Sequence, residues 1–70
     1  MDLIEIGQII HNKRRSMGKK LSDVQKATGM HYSNLSEIER GKRPQVRLET
    51  IQRFCDALEL EIVVRGKDGE

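Results

Sequence analysis

His11, His31 and the lone Cys55 are the residues that could supply a Cys–His pair for nucleophilic catalysis. A 70-residue, 8.1 kDa chain leaves no room for a substrate pocket on the order of several hundred cubic ångströms with a supporting shell. No glycine loop follows a strand to cradle phosphate, and no H-E-x-x-H is present. A single cysteine permits neither an internal disulfide nor a cysteine-based zinc site. The reading is therefore no enzyme, no metal, no cofactor and no small-molecule substrate.

The chemistry that remains is charge and hydrogen bonding. Residues 11–47 carry ten Lys/Arg against Asp23, Glu37 and Glu39, a balance of +7, whereas residues 48–70 balance at −3. A basic front with an acidic rear suits a face that meets a polyanion; an ordinary solvated surface is the alternative. Within the basic stretch, Leu21–Gly41 is the informative segment. Two short helical patterns flank Gly29-Met30-His31, with apolar anchors at Val24, Met30, Leu35 and Ile38. Helices this short cannot stand alone. Joined by a tight turn containing glycine, they form a helix-turn-helix, whose second helix can present side chains to a major groove.

The elements that must hold this pair follow from spacing. Leu3, Ile6, Ile10 and Met17 recur at helical intervals, widened by Ile9, and Gly18 ends the pattern. A second helix spans about Leu21–Thr28 with Leu21, Val24 and Ala27 inward, and a third about Tyr32–Arg40, closed by Gly41 before Pro44. A fourth runs from about Leu48 to Leu58, with Leu48, Ile51, Phe54, Cys55 and Leu58 on one side. Leu60, Ile62 and Val64 then alternate with Glu61, Val63 and Arg65, which is strand spacing. A single strand has no partner in its own chain, so it predicts pairing with the same strand of a second copy. The expected class is all-α: one domain, 1–65, of four helices with a dimerisation strand at about 60–65, and a frayed 66–70 tail. The longest apolar run is Ile62-Val63-Val64, which excludes a membrane helix. Nothing reads as a signal peptide, and the chain is expected to be soluble and cytoplasmic.

The run VQKATGMHYSNLSEIERGKRP followed by LETIQRFCDALEL resembles the Cro/C1-type (Xre-like) helix-turn-helix regulators over roughly residues 6–60. Gly29, the LSEIERGKRP run at 35–44 and Arg14 carry the resemblance most specifically. It implies a structural Arg14–Glu39 ion pair between the first and third helices. It also implies that Tyr32, Ser33, Ser36 and Glu37 face the groove, with His31 at the helix N-terminus. Phosphates would be held by Lys20, Lys42 and Arg43, with Lys19 and Arg47 beside them. The ending ALELEIVV is similar to HipB-type antitoxins, implying dimerisation through Leu60, Ile62 and Val64 and allowing a toxin partner. Two positions depart from the pattern: Gln25 replaces a small residue, and Lys20 replaces a Ser or Thr cap.

Each assignment has a second reading. Glu37 either accepts from a cytosine amino group or excludes other sequences by repulsion. His31 can be a turn or capping residue, and Asn34 is turned to the side. Cys55 reads as a core thiol, Lys13 and Arg15 as solvated charge, and nothing assigns His11 a role. The function expected is a sequence-specific regulator of double-stranded DNA, binding a palindromic operator as a homodimer. The alternative is a helix-turn-helix-shaped protein-interaction module without sequence-specific DNA binding.

Overall fold

A computed structural model describes residues 2–66 and contains four helices in the order α1 (Leu3–Ser16), α2 (Leu21–Thr28), α3 (Tyr32–Glu39) and α4 (Leu48–Ala57). Helix α1 starts where Asp2 Oδ1 accepts from the Glu5 backbone N–H at 2.9 Å, satisfying one of the orphan donors of the first turn. At the start of α2 the ammonium side chain of Lys20 cannot accept. Asp23 Oδ2 accepts from the Lys20 backbone N–H at 2.8 Å instead, forming the reciprocal half of a capping box.

Three helices close with the same pair of backbone bonds, the Schellman arrangement. In α1 these are Lys19 N to Arg14 O at 3.2 Å and Gly18 N to Arg15 O at 3.0 Å. In α3 they are Lys42 N to Glu37 O at 3.0 Å and Gly41 N to Ile38 O at 3.1 Å. In α4 they are Leu60 N to Cys55 O at 2.9 Å and Glu59 N to Asp56 O at 3.3 Å. Glu59 takes a left-handed φ of 58° there, at a cost of about 1–2 kcal/mol, and Leu60 is returned against the core.

The α2–α3 turn is held by Thr28, whose hydroxyl donates to Val24 O at 2.8 Å and accepts from Met30 N at 3.1 Å. Gly29 completes the reversal at φ +74°, a conformation an L side chain resists. With this turn set, α2 packs on α3 and α4, and α1 packs on α3. Ile10, Val24, Leu35, Ile38, Ile51, Phe54, Cys55 and Leu58 form the core, with Phe54 its one ring. Each large side chain buried there contributes about 1.5–3 kcal/mol.

Two expectations need correction. Ala27 is exposed, because α2 addresses the core through Leu21 and Val24 alone. Leu48 is 64% exposed, because the first turn of α4 lies at the edge of the core. Residues 60–65 have no regular structure in the single chain, where the strand expected to pair with a second copy has no partner. Leu60 and Ile62 pack against the chain's own core, while Val64 is 86% exposed. Of the tail expected at 66–70, Gly66 has no regular structure and 67–70 lie outside the described residues.

Gly7 sets the approach of α1 to α3. A Cβ there would overlap Ile38 O and lie 2.6 Å from Glu39 O, both backbone atoms at the end of α3. A solvent-facing helix glycine gains about 1 kcal/mol when replaced by alanine. Gly7→Ala is expected to show the opposite sign, a loss of about 1–3 kcal/mol by chemical denaturation, since two helices must separate.

Candidate nucleic-acid interface

The end of α3 is fixed by a buried polar cluster. Arg14 Nε donates to Glu39 Oε2 at 2.6 Å and Nη2 donates to Glu39 Oε1 at 2.9 Å, a two-bond fork between α1 and α3. The remaining arm of the guanidinium, Nη1, donates to Lys19 O at 2.8 Å and so holds the α1–α2 turn as well. His11 Nδ1 lies 2.8 Å from Glu39 Oε1. An ionised carboxylate only accepts, so Nδ1 carries the proton. The 3.3 Å approach of Arg14 Nη2 to the same nitrogen is then two donors converging on one acceptor.

Arg14 and Glu39 are 9% and 8% exposed. Burial pushes the Glu39 carboxyl up, while hydrogen bonds and charge from Arg14 and His11 pull it down. The pull prevails, and the carboxyl titrates below its ordinary 4.5. Hydrogen bonding to Glu39 raises the Arg14 guanidinium in turn. Among the described residues every buried side-chain nitrogen and oxygen has a hydrogen-bond partner.

With Leu35, Ile38 and Glu39 inward, the helical period turns the rest of α3 outward. Tyr32 and Ser33 are exposed, Ser36 and Glu37 half-buried, and His31 is exposed at the cap position without capping through its side chain. Arg40 completes this face. It is exposed at the helix C-cap, four residues after Ser36 and seven after Ser33, and its Nε donates to Ser36 O at 3.4 Å. Arg40 was not among the expected site residues, and its i+4 and i+7 spacing from Ser36 and Ser33 is the sequence signal that marks it.

The basic residues are not gathered into one patch. Lys19 and Lys20 stand at the α1–α2 turn before the opening of α2, with Lys19 half-buried and Lys20 exposed. Lys42 shares an open hollow of about 510 Å³ with Ser36, Arg40 and the Arg14–Glu39 pair. Arg43 and Arg47 line a second, of about 580 Å³, with Asn34, Gln45 and Thr50. Arg47 also lies 3.6 Å from Glu49, both well exposed, a pair worth little in water. Both hollows are open gaps between neighbouring elements rather than pockets with a supporting shell.

A helix pair joined by a glycine turn, with an outward polar face on its second member and cations beside it, is the layout of a DNA-reading unit. The profile of the Cro/C1-type HTH DNA-binding domain matches residues 10–62. The chain belongs to that family. Its structure is similar to the crystal structure of the restriction-modification controller protein C.AhdI from Aeromonas hydrophila, with a TM-score of 0.76 and 29% sequence identity. The match covers 84% of this chain and 88% of that one. No curated protein sequence matches the chain. The family assignment makes this a DNA-binding domain of the transcription-regulator kind. No helix among the described residues is long and apolar enough to cross a membrane.

Removing one partner of the buried pair leaves an uncompensated charge. Arg14→Met is expected to cost about 3–5 kcal/mol in a urea titration at neutral pH. The acid limb follows from the lowered Glu39 carboxyl. Its contribution is fully present above about 4.5, the ordinary value, and is lost as pH falls through the lower folded value. Unfolding of wild type and Glu39→Gln, compared from pH 6 to pH 2, should therefore converge at the acid end. Curves that keep a constant separation would refute this account of the pair.

Proposed function

We propose that the chain is a sequence-specific regulator of double-stranded DNA, acting as a homodimer on a palindromic or near-palindromic operator and repressing its own operon. The observation that carries this reading is the state of α3. Its inner face is locked by Leu35, Ile38 and the clamped Glu39, which leaves Tyr32, Ser33, Ser36, Glu37 and Arg40 as a preset outer face. Serine hydroxyls donate or accept at several base edges, Glu37 accepts from a cytosine amino group, and Tyr32 packs on a thymine methyl or reaches a phosphate. Lys20, Lys42 and Arg43, with Lys19 and Arg47, supply phosphate contacts that set position without reading sequence.

In a homodimer, two copies of α3 would enter successive major grooves about 34–36 Å apart, which is what makes the operator palindromic. The chain's likeness to a restriction-modification controller protein supports a regulatory role at a promoter. Repression is the simplest mechanism, since a domain seated on a promoter blocks it by binding. The HipB-like ending adds an antitoxin role, with a toxin as second partner. That role rests on the resemblance of the C-terminal residues alone, and the regulator reading does not need it.

The test is a gel shift on DNA from the chain's own upstream promoter, against random DNA, at two salt concentrations. A saturable shift that survives competitor, with a footprint spanning two half-sites, is the expected result. Alanine at Tyr32, Ser33 or Glu37 should relax preference at particular base pairs, about 1–3 kcal/mol at each position that is read. Lys42→Ala should weaken binding to all sequences alike and lower the salt slope by about one. Equal weak binding to both DNAs, lost at moderate salt, would overturn the reading in favour of a protein-interaction module.

A further inference from the structure

His11 stands partly out of the polar cluster around Glu39: its side chain is 39% exposed, against 4% for the carboxylate it touches. The ring lines the open hollow of about 510 Å³ between α1 and the end of α3, together with Ser36, Arg40 and Lys42. Ser36 belongs to the outward face of α3, so the hollow opens beside the helix proposed to meet DNA.

The charge around the hollow is unbalanced. From α1 come His11 and Arg14, from the end of α3 Glu39 and Arg40, and from the segment beyond it Lys42; α2 brings Leu21 and no charge. Arg14 is spent on Glu39. Arg40 and Lys42 are in no salt bridge among the described residues. The space therefore favours an anion.

The protonation of the ring decides whether it can join in. With the Nδ1 proton given to Glu39, Nε2 is the nitrogen left for a ligand. In the neutral ring that nitrogen carries a lone pair and only accepts. A phosphate oxygen also only accepts, so the two cannot bond. Once Nε2 is protonated it donates, and the ring bridges an anion in the hollow to the carboxylate behind it. Imidazole ordinarily titrates between about pH 5 and 8, and an anion within hydrogen-bond reach favours its charged form.

We infer that this hollow seats a phosphate group of the DNA backbone between Arg40, Lys42 and a doubly protonated His11, so that binding DNA takes up a proton from solution. This rests on the placing of α3 against DNA given above and adds to it a proton-linked residue on α1. The proton enters at Nε2 from water and returns there when DNA leaves, while Nδ1 keeps its own. The sign is fixed: the bound anion stabilises the charged ring, so affinity rises as pH falls, and the gain is lost as the ring of the complex deprotonates. Because the contact is to the backbone, it acts on every sequence alike.

The test is titration calorimetry of the full chain with its promoter duplex and with a random duplex, between about pH 8 and pH 5.5. Two buffers of unlike ionisation enthalpy count the protons. Wild type is expected to take up protons near neutral pH and to gain about tenfold in affinity per chain across the range, the effect of about one pKa unit. His11→Asn keeps an N–H for Glu39 and has nothing to protonate. It should lose the uptake and the pH dependence on both duplexes while a urea titration shows it folded. His31→Gln, at the cap of α3, should keep both. In wild type, nuclear magnetic resonance of the His11 ring should show Nε2 gaining its proton when duplex is added. Arg40→Gln, at an exposed position, should weaken binding to both duplexes and lower the salt slope by about one.

Binding without proton uptake, or uptake that survives His11→Asn, overturns the phosphate seat and leaves the proposed regulator standing. Uptake that depends on His11 but comes with equal affinity for both duplexes supports the seat and removes the sequence-specific regulator. Failure to bind either duplex overturns both.

Discussion

The fork between Arg14 and Glu39 is the interaction on which the arrangement of this domain depends. A carboxylate taken out of water is tolerated only when its oxygens are filled, and here three N–H donors from α1 fill them. The donors come from His11 and Arg14. Together with Gly7 they form one stripe of α1 at i, i+4 and i+7, all addressed to the last turn of α3. Gly7 brings the backbones together; the two donors then lock the approach. A neighbouring stripe of the same helix, Leu3, Ile6, Ile10 and Met17, meets the apolar core. One helix therefore carries a packing seam and a polar seam, and the polar seam sets where α3 ends.

From that point the outer face of α3 follows. Arg14 also holds the Lys19 carbonyl, so the fork that orients α3 places the turn carrying Lys19 and Lys20. The outer face of α3 and that turn are thus registered to each other through one guanidinium. The groove between α1, α4 and residues 60–63 is built differently, lined by apolar side chains with Glu61 the one charged residue among them.

The helices were legible because each has both a period and a stop. Gly18, Gly29 and Gly41 mark three ends, and the spans Leu21–Thr28 and Tyr32–Glu39 fall where the anchors Val24, Leu35 and Ile38 require. What escaped the sequence was whatever depends on distant neighbours. Gly7 reads as an ordinary weak point in a helix until Ile38 O and Glu39 O are seen against it. His11 has no visible role until Glu39 arrives from 28 residues away. Ala27 and Leu48 obey the helical period, yet the core does not extend far enough to cover them. Asp23 was legible in principle, as the acid three residues past a cap, although Lys20 at the cap itself drew attention to a missing acceptor. Residues 60–65 have strand periodicity because alternation is local, whereas a ladder needs a second strand.

Cys55 gives this chain a chronometer of its own. The thiol is buried, and its burial, with Asp56 beside it, pushes its pKa up, so little thiolate is present. Cys55 is 5% exposed on the lining of the groove between α1, α4 and residues 60–63, so an alkylating reagent reaches its sulfur only when that seam parts further. The modification rate of the unaltered protein is therefore the opening equilibrium multiplied by the reactivity of a free thiol. As the chain's one cysteine, it reports that breathing without a label being introduced. Whatever seats itself over the seam slows the clock by the factor by which it holds the seam shut.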